Sequence, residues 1–244
     1  MSGDPLALIL PLMANRLRAS WLVPAGLLVL AFVPTAAGVV RLVALARGDA
    51  TLQGHHRFAA DPVPGVLHIA SATSFLVAGA LQFSKGVRHR HPRWHRAMGW
   101  ALAPLGLVAA LSGMWMALRW TGAPYAGPAL TAMRLVVGSA MSGFIVVSLL
   151  ALRRRDYLAH GGWMTRAYAL GAGAGTQFFV FIPWLLLPSI RTVTLHAALH
   201  ALGWIINVLV AEAALRRHAR RRSHFPFHER DTLPAIEVEM PASR

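Results

Sequence analysis

The sequence predicts an all-α, polytopic membrane helix bundle of six transmembrane helices with both termini in the cytoplasm. Three observations carry this. The 244 residues are 56% hydrophobic and only 14% charged, with a mean hydropathy of +0.50, too apolar for one soluble domain of that length. Six stretches approach or exceed the roughly 20 apolar residues that a helix needs to cross about 30 Å of hydrocarbon. Basic residues alternate in density from one connection to the next, and that alternation orients the chain.

The six stretches run Trp21 to Leu45, Val63 to Ser84, Met98 to Leu118, Pro128 to Leu152, Trp163 to Leu187 and Thr194 to Leu215. Arg16 and Arg18 precede the first. Lys85, Arg88, Arg90, Arg93 and Arg96 fill the link between second and third. Arg153, Arg154, Arg155 and Arg166 flank the link from fourth to fifth, and Arg216, Arg217, Arg220, Arg221 and Arg222 follow the sixth. The intervening links hold only Arg47 and Arg57, then Arg119, then Arg191. The clustered side is therefore cytoplasmic. The same clustering explains the net charge of +15 as a positive-inside bias, so no nucleic-acid partner is expected.

Four segments follow along the chain. Residues 1–20 form a cytoplasmic N-terminal segment, and 21–46 a first transmembrane anchor. Residues 60–216 form a five-helix membrane core, and 217–244 a basic, disordered cytoplasmic tail. The first stretch is too long for a signal-peptide core and is followed closely by Arg41 and Arg47, so it reads as retained. Pro24 and Pro34 are expected to bend it. The chain has no cysteine, which removes disulfides, thiol chemistry and cysteine-ligated clusters. No Gly-x-Ser-x-Gly, His-Glu-x-x-His or phosphate loop occurs, so no hydrolase or transferase constellation can be assembled.

Of the 12 histidines, His218, His224 and His228 belong to the tail, His89 and His91 to the basic inner loop, and His55 and His56 to the outer loop. The other five fall at helix ends facing the two water layers. His68 lies about one and a half turns into the second helix from outside, and His196 and His200 lie one turn apart at the outer end of the sixth. His95 opens the third helix and His160 precedes the fifth, both on the inner side. Ionisable groups at membrane depth are costly and normally face a cavity or the bundle interior.

This layering suggests b-type haem, which is held between two imidazoles from facing helices. His68 with His200 or His196 would bracket an outer haem iron, and His95 with His160 an inner one. The two levels lie about 20 to 25 Å apart along the normal at roughly 1.5 Å per residue. A two-fold axis along the membrane normal would exchange helices two with six and three with five. Gly171, Gly173 and Gly175, with Gly79 and Gly113, would leave room for a flat macrocycle. The bland alternatives are that these glycines are helix-packing contacts and the histidines headgroup contacts.

Arg134, Gln82, Gln177, Asn207 and Glu212 are the other polar residues within the apolar stretches. Arg134 could pair with a haem propionate, and Arg166 or Arg96 could neutralise Glu212. Alternatively, Arg134, Gln177 and Asn207 could line the cavity of a non-redox transporter or small-molecule binding protein. A structural or assembly factor is a third class. Expected partners are the lipid bilayer and, under the haem reading, a quinone or another redox protein.

The run Gln82-Phe83, then His95-Arg96-x-x-Gly99, then His160-x-x-Trp163-Met164-x-Arg166-x-Tyr168-Ala169-Leu170, resembles the bacterial predicted-membrane-protein family called domain of unknown function 2306. Gly203-Trp204-x-x-Asn207 and Ala211-Glu212 are similar to its closing segment. The resemblance spans roughly residues 60 to 215 and implies an integral protein of the bacterial cytoplasmic membrane, with no settled activity attached. An arginine that it leads one to expect ahead of Pro183 is replaced here by the neighbourhood of Thr176, Gln177 and Phe178.

Overall fold

The computed structural model describes residues 5–49, 55–120 and 122–223, with side chains described for 21–49, 57–120 and 122–221. The first helix, α1, spans Pro5–Arg47 and stays helical through Pro24 and Pro34. A short helix, α2 (His55–Ala60), leads into α3 (Pro62–Gln82). The basic inner link forms α4 (Lys85–Arg90), and α5 (Pro92–Arg119) and α6 (Pro128–Arg153) follow. Next come α7 (Tyr157–Gly171), α8 (Gly173–Val180) and α9 (Ile182–Leu186), a 3-10 turn at Pro188–Ile190, and α10 (Val193–Ser223).

Proline starts α3, α5 and α6, where its missing N–H costs nothing and its fixed φ is already helical. The α4 and α7 helices carry side-chain caps: Ser84 accepts from the Val87 N–H at 3.3 Å, and Asp156 from the Ala159 N–H at 2.9 Å. The α5 helix begins six residues before the expected Met98, because Pro92 starts it within the polar inner link.

Five helices among the described residues are long and apolar enough to cross a membrane: Trp21–Arg47 of α1, α3, α5, α6 and Val193–Arg221 of α10. The fifth apolar stretch is not the single helix expected. It breaks at Ala172 and again at Phe181. The three pieces nevertheless run antiparallel to α10 along its apolar length, with Arg166 opposite Glu212, Thr176 opposite Asn207, Gln177 opposite His200 and Trp184 opposite His196. That path is consistent with six crossings.

The α3 helix packs on α5, α5 on α6, and α6 on α7, while α1 closes the ring against α3 and α8. The α10 helix lies against α7 and α8. The core holds Phe75, Leu76, Ala80, Leu102, Ala103, Met141, Ile145, Ala167 and Tyr168. Small residues set the spacing, as expected where helices gain nothing by hiding from lipid and must pack closely. A Cβ on Gly106 would sit 2.8 Å from Phe75 Cε2 and 2.9 Å from Ile145 Cδ1. Large apolar side chains such as Leu22, Phe32, Trp100, Val136 and Leu209 face outward, the arrangement that a hydrocarbon solvent favours.

The α10 helix continues to Ser223, past the point where a disordered tail was expected to begin at residue 217. Arginines are good helix formers and favour the C-terminal end of the helix dipole. Residues 224–244 of that expected tail, and the side chains of residues 1–20 and of His55 and His56, lie outside the described residues.

Candidate histidine sites at the two ends of the bundle

At the end where α3, α6 and α10 begin, called outer from the charge pattern, His68 sits on α3 against α5. Its Nδ1 lies 2.8 Å from the Ala109 carbonyl and 3.4 Å from Ser112 Oγ. A carbonyl only accepts, so Nδ1 carries a proton, and in the neutral ring Nε2 is the nitrogen with the lone pair. The same logic fixes His200, whose Nδ1–H donates to the His196 carbonyl at 2.9 Å. His196 Nδ1 is buried without a partner among the described residues.

The imidazoles of His196 and His200 lie 4.6 Å apart, centroid to centroid, inside an aromatic wall. Phe181 is 4.8 Å from His200 and 5.2 Å from His196. Trp184 is 5.2 Å from His196, and Tyr125 stacks edge-on against Trp184 at 4.9 Å. Arg134 on α6 is within electrostatic reach of His68, His196 and His200 alike. Arg134 of α6 is thus within range of one histidine on α3 and two on α10, all near the starts of their helices.

At the inner end, the Ser148 hydroxyl donates to the His160 carbonyl at 3.0 Å. It therefore accepts from the His160 Nδ1–H at 2.8 Å, and that same N–H lies 3.1 Å from the Ser148 carbonyl. Once more Nε2 is left with the lone pair. His95 on α5 is within electrostatic reach of His160, and its buried Nδ1 has no partner among the described residues. Among the described residues, no group of three or more His, Cys, Asp or Glu converges on a metal-sized position. Each level is at most a pair of imidazole ligands.

The glycines do not form the clefts expected of them. A Cβ on Gly171 would meet Phe75 and Met141, one on Gly173 would meet Trp204, one on Gly175 Leu30, and one on Gly79 Tyr168. They seat side chains and neighbouring backbone. Gly113 alone faces a histidine, with His68 Cε1 3.2 Å from where its Cβ would stand.

Most of the remaining polar residues at depth are satisfied structurally. Gln177 Nε2 donates to the His200 carbonyl at 3.0 Å. Asn207 Nδ2 donates to the Ala169 carbonyl at 3.0 Å and Asn207 Oδ1 accepts from Thr176 Oγ1 at 2.6 Å. Arg166, rather than Arg96, pairs with Glu212. Sequence reasoning missed Ser148 and Ser112 beside the histidines, and the aromatic wall of Tyr125, Phe181 and Trp184. Periodicity signals none of these, because an apolar helix does not show which way its polar minority points.

A family model described as "Predicted membrane protein (DUF2306)" matches residues 65–215, which include all five histidines of the two levels and Arg134 but leave out α1. No curated protein and no solved structure matches the chain.

Proposed function

The chain belongs to the DUF2306 family of predicted membrane proteins, and from that premise we propose that it carries electrons across a bacterial cytoplasmic membrane on b-type haem. His68 and His200 are the ligands at the outer level, and His95 and His160 those at the inner level. Both termini face the cytoplasm, and a quinone or redox protein is the exchange partner. One observation supports this above others: His68, His160 and His200 each bind a carbonyl through Nδ1 and leave Nε2 as the coordinating lone pair. A hydrogen bond at the far nitrogen is the usual way in which a protein fixes the tautomer and orientation of an imidazole ligand.

The donor set fits haem better than the surrounding space does. Phe181 packs on His200 and Trp204 fills the seat at Gly173, so admitting a macrocycle at the outer level requires those rings to swing aside. Haem supplies one-electron chemistry when bound. The residues present would orient the ligands, exclude water through the aromatic wall, and tune the potential through the bonds at Nδ1.

The test is a reduced-minus-oxidised visible spectrum of the full chain, purified after expression with ample haem. Bis-imidazole bands are expected, with one haem lost in His68→Ala and one in His160→Ala. A spectrum without cytochrome bands overturns the reading, and bands that survive both substitutions reject these ligands. A second reading, a non-redox binding or transport protein, is favoured by one observation only: Arg134 has no anionic partner among the described residues.

A further inference from the structure

We propose that the outer level holds an exchangeable monoanionic carboxylate with a flat apolar body, gripped by Arg134 and entered from the outer water layer. Arg134, His68 and His200 each lie between one and a half and two turns beyond the outer start of their helices, roughly 9 to 10 Å deep. A guanidinium remains charged at any accessible pH and is costly at that depth unless paired.

No described residue offers it an anion. Of its acidic residues only Asp49 and Asp61 belong to the outer end, and Arg134 forms neither an ion pair nor a hydrogen bond with any described residue. The undescribed outer residues, 50–54 and 121, include no acid. The three imidazoles within its reach are neutral or positive and cannot balance it. Two arginines near the bundle ends differ: Arg166 holds Glu212, and Arg191 caps the carbonyls of Trp184 and Leu185 at 3.0 Å each. The guanidinium of Arg134 is not sealed in, since its nitrogens are absent from the buried polar atoms that lack a partner.

The occupant's chemistry follows from the count of charges. One guanidinium balances one negative charge, and its fork matches a carboxylate through two parallel N–H···O bonds. A phosphate dianion would be left half neutralised, because Arg191 is already engaged. Phe181, Trp184 and Tyr125 pack on one another and on His196, so a flat body enters by displacing one of these rings; the others then give it apolar surface while the guanidinium gives orientation.

Benzoate is the probe, measured by equilibrium dialysis on the full chain in nanodiscs of phosphatidylcholine alone. Saturable binding is expected, weakened at least about tenfold in Arg134→Gln, less so in Arg134→Lys, and unchanged in Arg119→Gln. If Arg134→Gln fails to fold, as judged by size exclusion, Arg134→Lys carries the test through loss of the bidentate grip. Absence of saturable binding in the wild type, or binding indifferent to both substitutions, overturns the proposal. Stronger competition by inorganic phosphate than by acetate overturns the carboxylate assignment. Loss of benzoate binding when phosphatidylglycerol is added identifies a lipid headgroup as the occupant instead. Binding by haem-free protein alone, with haem-loaded protein inert, would mean that the carboxylate is haem's own propionate. A chain without a cytochrome spectrum can still bind benzoate, so this proposal and the haem reading fail separately.

Discussion

The Arg166 guanidinium holds the Glu212 carboxylate through two hydrogen bonds across the α7–α10 interface, Nη2 to Oε2 at 3.0 Å, and lies over the Trp163 ring at 4.8 Å. The side chains are 28% and 29% exposed, on the surface of the bundle near its inner end, which sets the pair's worth near the upper end of the exposed-pair range. Glu212→Gln is expected to cost about 1 kcal/mol, and Arg166→Ala somewhat more because Trp163 loses its cover. A double-mutant cycle on thermal unfolding in detergent checks this. A coupling energy near zero would show that the two residues coincide without stabilising the interface.

Tyr168 donates its hydroxyl to the Leu76 carbonyl at 2.8 Å and packs its ring against Phe75 and Phe83. Its Cε2 lies 2.8 Å from the position of a Cβ on Gly79. Gly79→Ala should therefore push α3 and α7 apart and destabilise by about 1 to 3 kcal/mol. Tyr168→Phe should cost about 1 kcal/mol by losing only the hydrogen bond. The Gly79→Ala defect should persist with Tyr168→Phe and shrink with Tyr168→Leu. Equal rescue by both second changes would contradict a steric cause.

Asn207 ties α10 to the turn that precedes the Ala172 break, donating to the Ala169 carbonyl while accepting from Thr176. Replacing it by leucine removes both bonds, at a cost of about 0.6 to 1.7 kcal/mol for a polar contact in a membrane bundle. Asn207→Asp should be the worse change despite its similar shape, since an ionised carboxylate cannot donate to Ala169 and adds an unpaired charge at depth. Thermal unfolding should rank wild type above leucine and leucine above aspartate. The reverse order of the two variants would mean that the amide donation is not what matters.

Five of the long helices were legible because the bilayer fixes their length and Arg and Lys mark their ends, whereas the fifth stretch, read as one helix, is three pieces. The sorting of the histidines between the two ends of the bundle followed from their sequence positions alone. What surrounds them did not, because a nearly all-apolar helix leaves its rotation about its own axis undetermined. Ser148 at His160 and the Ala109 carbonyl at His68 depend on that rotation. In the sequence Gly171, Gly173 and Gly175 read as room for a macrocycle, yet a glycine within an apolar run reads equally as a cleft or as a seat. Tertiary neighbours decide between the two: Trp204 at Gly173 and Leu30 at Gly175 make them seats.

The broken segment makes the number of crossings testable, and the absence of cysteine from the chain makes the test clean. Ala123→Cys lies between α5 and α6, Arg154→Cys follows α6, and Ser189→Cys lies in the 3-10 turn beyond α9. If α7 to α9 traverse the bilayer beside α10, a membrane-impermeant maleimide should label Ala123→Cys and Ser189→Cys in intact cells whose outer envelope has been opened. Arg154→Cys should react only after lysis, as the arginine clusters require. Protection of Ser189→Cys alongside Arg154→Cys would mean that the segment turns back within the membrane, leaving five crossings and moving the outer histidines of α10 to the opposite side from His68. Both proposals for the outer level would then fail together, because Arg134, His68 and His200 share a level only if α10 enters from the same face as α3 and α6.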